Sequence, residues 1–373
     1  MKVFQTIHKY TPHIPQFEAK YGINDDSDIS FEDMRKLIID DGYASAYILL
    51  PALQNKTNEV FYTIWNYERL QLLWAKENRI KTTDLEKIKL EQLKAFNPDV
   101  FYNHSPFADG HFVELVKIAG IKCKNICWNG IIETRPMTFP LYDVHLTLHR
   151  PYIYYWNKLG LKAYELQPGI PDAWEYENTN RPIDVLFYGQ FTKGWKNMFD
   201  NRNELIEKLI RLKKNQKHTI KIALQYNTIK SLILKLLYFK FEVARFPSRY
   251  VRKYSDKPLY SNSLYNQIIK SKIVVNAYTN YNNEFKSNMR IFEAIGHGAF
   301  LISERGNYPD GLEPDVDFYT YDGFVELKEK IDYVLSNWDE HRIIALKSAE
   351  KIRTIFSKEN QWKQFQKIVN SIK

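Results

Sequence analysis

At 373 residues the chain is longer than one hydrophobic core usually organises, so two domains are expected. Its 44% hydrophobic and 26% charged residues exclude a disordered chain, and 14 glycines with 15 prolines exclude a collagen-like or low-complexity one. Two cysteines, Cys123 and Cys127, cannot build a disulfide framework or, without a second pair, a structural zinc site, and a formal charge of +9 favours anionic partners.

The chain opens on an extended run at 2–7 with no apolar leader or cleavage pattern, so a reduced, cytoplasmic setting is expected. Further β-rich runs follow at 46–50, 60–65, 99–103, 125–128 and 143–148. Helical stretches alternate with them. Ser30 ahead of Glu32 and Asp33 marks one start, and Thr83 three residues before Glu86 forms a capping box. Leu85, Ile88, Leu90 and Leu93 then make a helical stripe that ends near Asn97-Pro98. Asp26-Ser-Asp28 has no strand before it and reads as a loop.

A connector rich in proline and glycine, 166–171, interrupts the alternation. Strand signals resume at 183–188, 219–224, 243–246, 273–276 and 299–303, with a helix from 201. The segment 324–373 reads as wholly helical, with Leu327, Ile331, Val334 and Leu335 on one stripe. Strand and helix alternating twice predict an α/β protein of two successive doubly wound domains with a helical C-terminal tail. Ligands of such sheets bind outside the carboxyl ends of the strands. The apolar run at 232–239 is broken by Lys235 and is too short to span a bilayer. It lies in a denser basic stretch, Lys230 to Tyr254, which reads either as solvated lysines on ordinary elements or as a surface resting on an anionic membrane.

The segment 276–303, NAYTNYNNEFKSNMRIFEAIGHGAFLIS, carries the chemistry. A buried strand leads through a polar loop to a helix capped by Ser287 or Asn288, with Lys286 and Arg290 beside its free first-turn N–H groups. That is a site for a phosphate or diphosphate. Glu293, about one turn further in, is within reach of the ribose hydroxyls of a nucleotide so held. The spacing fits equally an ordinary helix with a solvated Glu and Arg.

The string Arg290-Ile-Phe-Glu293-Ala-Ile-Gly-His-Gly298-Ala-Phe-Leu-Ile-Ser303 resembles the signature of the group 1 glycosyltransferases, in particular their spore-maturation CgeB-like branch. The resemblance spans roughly 165–350. It implies the GT-B fold: two Rossmann-like domains facing a central cleft, the second binding the donor, with no obligatory metal. No cofactor is then expected, the nucleotide-sugar being a substrate. Expected domain limits are 1–166 for the acceptor domain, 167–355 for the donor domain, and 356–373 for a helix packing back on the first. The glutamate matching Glu293 holds the donor ribose in that family, and Asn288 and Arg290 match the residues before it. Asp184-Val-Leu-Phe-Tyr-Gly189 resembles the first donor-domain strand, whose glycine admits the phosphates. Lys193, Lys196 and Arg202 follow as diphosphate contacts, together with Lys286 and Ser287. Pro309–Pro314 and 317–321 resemble the segment ahead of the final helices.

The chain also departs from the family. Glu284 precedes Glu293 by nine positions, one more than the usual glutamate pair, and Gln190 stands where an arginine is common. In the first half, 97–104 resembles the strand after which relatives carry a histidine near the reacting sugar, here His104. His111 and His13 are further candidates. Asp109 and Glu133 are candidate bases for an inverting reaction, and His8, His13, Trp128 and Asn129 are candidate acceptor contacts.

The function implied is transfer of a sugar from a nucleotide-sugar to a glycan, lipid-linked or protein acceptor in surface polysaccharide or glycoconjugate synthesis. Two other readings stay open. One is an inactive relative that only binds a glycan or nucleotide-sugar. The other is a basic nucleic-acid-binding protein drawing on its 26 Tyr, 22 Phe and 8 Trp; no such motif is present, and strand packing accounts for the aromatics.

Overall fold

The computed structural model describes residues 1–53, 57–130, 139–178, 180–191, 200–215, 217–226, 247–279 and 284–372. The chain divides into two compact units, Met1–Pro171 with Phe356–Lys373, and Asp172–Ile355.

In the first unit six parallel strands form one sheet: β1 (Lys2–Ile7), β2 (Glu59–Ile64), β3 (Val100–Asn103), β4 (Lys124–Trp128), β5 (Val144–Thr147) and β6 (Ala163–Glu165). They lie in the order β2-β1-β3-β4-β5-β6. Every residue of β3 and β5 is buried, as expected of strands covered by helices on both faces. Phe4, Phe101 and Cys127 meet Leu93 and Phe96 of the helix Leu85–Phe96 and Phe112, Val113 and Val116 of the helix Phe112–Ile118 in one core cluster.

The local signals near these helices were mostly legible. Ser30 Oγ accepts from Asp33 N–H at 3.0 Å and starts the helix Phe31–Asp40. The second helix is capped one residue later than the sequence indicates. Asp84, not Thr83, accepts from the N–H groups of Glu86 and Lys87, because a carboxylate in the extended Ncap conformation reaches both. No strand forms at 46–50. Tyr47, Ile48 and Leu49 are buried in a turn that leads into the short helix Leu50–Leu53. A short apolar run signals burial without saying which backbone shape achieves it.

The second unit holds five parallel strands, β7 (Ile183–Gln190), β8 (Ile220–Gln225), β9 (Ser271–Asn276), β10 (Phe300–Glu304) and β11 (Tyr319–Tyr321), in the order β11-β10-β9-β7-β8. The helices Asp200–Lys214 and Gly323–Ser336 bury Leu205, Ile206, Leu209, Leu327 and Ile331 against Val185, Phe187, Ile273 and Val275. The expected strand at 243–246 lies outside the described residues, as does the basic stretch up to residue 246. Among the described residues no helix is long and apolar enough to cross a membrane.

The helical end of the chain is three helices, Gly323–Ser336, Trp338–Ile355 and Lys358–Asn370. The last belongs to the first unit, where Lys358 Nζ donates to the Ile48 carbonyl at 2.8 Å and Gln361 Nε2 to that of Ala46 at 2.9 Å. The fold class read from the sequence, two Rossmann-like α/β domains with a helical tail, is the one observed. In both sheets the strand order reverses beside the first strand, between β1 and β3 and between β7 and β9. Open α/β sheets bind ligands at that crevice.

Candidate functional site

At the reversal point of the second unit the helix Met289–Gly296 begins where Asn288 Oδ1 accepts from Ile291 N–H at 3.3 Å. Ile291, Phe292, Ala294 and Ile295 are buried and set the helix against the sheet. Gly298 follows with φ 66°, and a Cβ there would sit 2.3 Å from the Tyr176 carbonyl oxygen, so only glycine fits.

The helix start is tied to the ends of two strands. Arg290 Nη1 donates to Asn276 Oδ1 at 2.6 Å, Asn288 Nδ2 donates to the same oxygen at 3.0 Å, and Asn276 Nδ2 donates to Ser303 Oγ at 3.0 Å. Neither Asn276 nor Ser303 was singled out by sequence reasoning. Their positions, Asn276 as the last residue of β9 and Ser303 as the first polar residue after the apolar run of β10, are the available signal.

Three cations converge on this point. At Gly189 (φ 150°) an added Cβ would lie 2.4 Å from Arg202 Nη2 and 2.8 Å from Arg290 Nη2, so the bare backbone leaves room for both guanidiniums. Burial first, and then the neighbouring Arg290, push Arg202 down to about 9, with Glu304 opposing. Lys286 is buried, its Nζ 3.4 Å from Glu304 Oε2 and 4.9 Å from the Tyr278 ring centroid. The Ser287 hydroxyl and Arg290 Nε are buried without a hydrogen-bond partner among the described residues. Crowded guanidiniums beside unsatisfied donors at a helix start form a place prepared for an anion.

Glu293 sits half-buried one turn on, its Oε2 accepting from Tyr188 O–H at 2.6 Å. Burial raises its pKa, while Tyr188 and Arg290 favour the charged form. A cavity of about 670 Å³ opens beside Lys286, lined also by Asn201, Lys208, Tyr278, Glu304 and Arg305 among others; Arg202 and Arg290 do not line it. Glu284, exposed, also lines it, whereas Glu293 does not. Lys193 and Lys196 lie outside the described residues.

In the first unit His8 and His104 stand at the carboxyl ends of β1 and β3, flanking that sheet's reversal point. His8 N–H donates to Ser105 Oγ at 3.2 Å, and its half-buried ring lies 5.8 Å from that of Trp65. His104 is buried in an aromatic cage. Its ring stacks on Trp128 (4.4 Å, 8° between planes), tilts against Tyr47 (4.3 Å) and meets Tyr102 edge-on (6.1 Å). Burial, then the charge of Lys358, lower its pKa to about 3, so it is neutral at physiological pH. Its Nε2 and the Trp128 Nε1 are both buried without a hydrogen-bond partner among the described residues. Asn129 is buried next to Trp128, its N–H donating to the Leu146 carbonyl.

The other candidates fall elsewhere. Asp109 is buried with both oxygens occupied, Oδ2 by Lys89 Nζ at 2.5 Å and Oδ1 by Asn103 Nδ2 at 2.9 Å. That is the environment of a structural ion pair. His13 is buried against Asp41 (3.4 Å) and Tyr43 (5.2 Å), and His111 is paired with Glu86 on the surface. Glu133 lies outside the described residues.

Three buried histidines give the protein an acid limit. His104 and His297 are lowered to about 3 and His149 to about 4, each chiefly by burial. Between these values and the unfolded value of about 6.5 the unfolded chain binds more protons, so stability falls as pH falls. From pH 7 to 5 each histidine is expected to cost about 2 kcal/mol. Glu293 and Glu304, raised by burial, act in the opposite sense. A Tm clearly lower at pH 5 than at pH 7, with a shallower fall in His297→Gln, is the expected result; an equal Tm at both would contradict it.

Residues 227–367 match the family model described as glycosyl transferase-like. No curated protein matches the chain by sequence. Among solved structures, Anabaena Alr3699/HepE in complex with UDP and glucose superposes with a TM-score of 0.61 at 9% identity over 100% of both chains. A glycosyltransferase from Rickettsia africae gives 0.56 at 12% identity, over 100% of this chain and 98% of its own. Sucrose-phosphate synthase from Thermosynechococcus elongatus gives 0.56 at 9% identity, over 99% and 98%. At such identities the likeness is one of fold, the GT-B fold of glycosyltransferases. Together the family match and the fold support a glycosyltransferase.

Proposed function

We propose that the chain is a CgeB-like group 1 glycosyltransferase that transfers a sugar from a uridine-diphosphate-activated donor to an acceptor hydroxyl without a metal ion. The observation that carries this reading is the convergence of Arg202, Arg290 and Lys286 with the unpartnered Ser287 hydroxyl at the start of the helix Met289–Gly296. These groups suit a diphosphate, whose charge grows as the sugar leaves, and fixed cations placed ahead of that charge need no reorganisation during the step. Glu293, held by Tyr188, is assigned the ribose hydroxyls. Uridine is the first base to test because the HepE structures hold UDP and UDP-glucose. The acceptor is a glycan, lipid-linked or protein hydroxyl in polysaccharide or glycoconjugate synthesis.

The first unit is assigned the acceptor side. With its conjugate acid held near 3, His104 is a weak proton acceptor at neutral pH, so its role is to hydrogen-bond a reacting hydroxyl rather than deprotonate it. Asp109, committed to Lys89, is not assigned the role of base.

A thermal-shift screen against UDP, GDP, CDP, dTDP, ADP and CMP, with and without magnesium, tests the donor site. UDP at a hundred times its dissociation constant should add about 2.7 kcal/mol of apparent stability, equally in both conditions. No shift with any nucleotide would remove the donor site and favour an inactive relative.

A further inference from the structure

We propose that Lys358 and Gln361, on the C-terminal helix Lys358–Asn370, are positioning residues that clamp the turn carrying Tyr47 and so hold the Tyr47 ring against His104 and Trp128. The importance of that geometry rests on the assignment of His104 to the acceptor side.

Three consecutive carbonyls of the turn are each held by a side chain from another part of the unit. Gln361 Nε2 donates to Ala46 O at 2.9 Å, Gln5 Nε2 to Tyr47 O at 2.9 Å, and Lys358 Nζ to Ile48 O at 2.8 Å. Gly169 N–H adds a second bond to Ala46 O, and its lack of a side chain admits Gln361, since a Cβ there would lie 2.7 Å from Gln361 Oε1. Tyr47, the middle residue of this clamp, presents its ring 4.3 Å from His104 and 4.7 Å from Trp128. The same helix reaches the cage a second way, through Phe365, whose ring lies 5.1 Å from that of Tyr102.

Packing alone does not account for a lysine here. Lys358 is buried, and its Nζ is held only by two neutral acceptors, Ile48 O and Gln361 Oε1; among the described residues no carboxylate pairs with it. A buried ammonium without a counter-ion is costly, and an apolar residue of similar volume would stabilise the fold more. Burial lowers the Lys358 pKa well below its ordinary value, so what Nζ supplies here is a directed bond to the turn. The titratable groups around His104 are then Tyr47 from the turn, Tyr102 from β3 and Lys358 from the helix.

The test follows the imidazole of His104 by NMR in full-length protein labelled at histidine, with His104→Gln identifying its signal. Lys358→Met removes the donor at nearly constant volume. If the clamp positions the cage, the His104 ring signal moves at pH 7 because the Tyr47 ring current changes, and Gln361→Leu moves it in the same direction. If the lysine only packs, Lys358→Met leaves the His104 signal in place and raises Tm, and that result overturns the proposal. Should Lys358→Met fail to fold, Gln361→Leu alone decides by the same signal. UDP binding to the unmutated protein is measured alongside. Its absence would sink the donor assignment, while the His104 signal would still decide the clamp.

Discussion

Replacing Glu293 with alanine is expected to raise the dissociation constant for UDP roughly 30- to 150-fold. Hydrogen bonds to a charged group contribute about 2–3 kcal/mol, and each 1.4 kcal/mol is a factor of ten. In the proposed ribose role the carboxylate would already be oriented before any ligand arrives. Tyr188 O–H occupies one side of Oε2 at 2.6 Å and fixes its orientation. A carboxylate offers about four acceptor positions, so most remain for the two ribose hydroxyls. Burial opposes the charge, and the nearby Arg290 helps retain it. Isothermal titration with UDP checks the prediction, with circular dichroism confirming the fold. An unchanged dissociation constant in a folded variant would remove Glu293 from the donor site.

Replacing Asp109 with alanine is expected to cost about 3–5 kcal/mol of stability, a Tm loss on the order of 10 °C. The side chains of Lys89 and Asp109 are 0% and 1% exposed, so solvent screens neither charge. Without its partner, Lys89 Nζ would remain a buried cation set against the rings of Phe112 (3.5 Å) and Trp65 (4.9 Å). The pair itself is not required for stability. Lys89→Met combined with Asp109→Leu should recover most of the loss, because removing both charges also removes their desolvation cost. Calorimetry of the three variants distinguishes a structural aspartate from a catalytic one. Wild-type stability in Asp109→Ala with turnover abolished would restore Asp109 as the base.

Much of the second unit could be read directly. The run at 273–276, Ile-Val-Val-Asn, and that at 300–303, Phe-Leu-Ile-Ser, are apolar throughout until a polar last residue, the pattern of a parallel strand covered on both faces whose end meets a ligand crevice. Between them Asn288 caps a helix, as its residue type and the stripe after it indicate. Other features were hidden. Strands β6 and β11 are three residues each, too short for any periodicity to register. The buried turn at 46–49 looked like a strand because its residues are those a strand would bury.

Local sequence by itself determined where most strands and helices lie and which residues stand at the end of each strand. Those signals act within a few residues, through side-chain spacing, caps and turn chemistry, and need no knowledge of the rest of the chain. Tertiary structure alone decided how those residues are paired. Asp109, a candidate base in the sequence, is found buried and paired with Lys89, which lies one helix earlier and is brought against it. His104 became a neutral ring in an aromatic cage chiefly because it is buried against Tyr47 and Trp128. Lys358 itself bonds a carbonyl 310 positions away in the chain. Charge and protonation follow from burial and neighbours, and neighbours so distant along the chain are set by the path of the whole backbone.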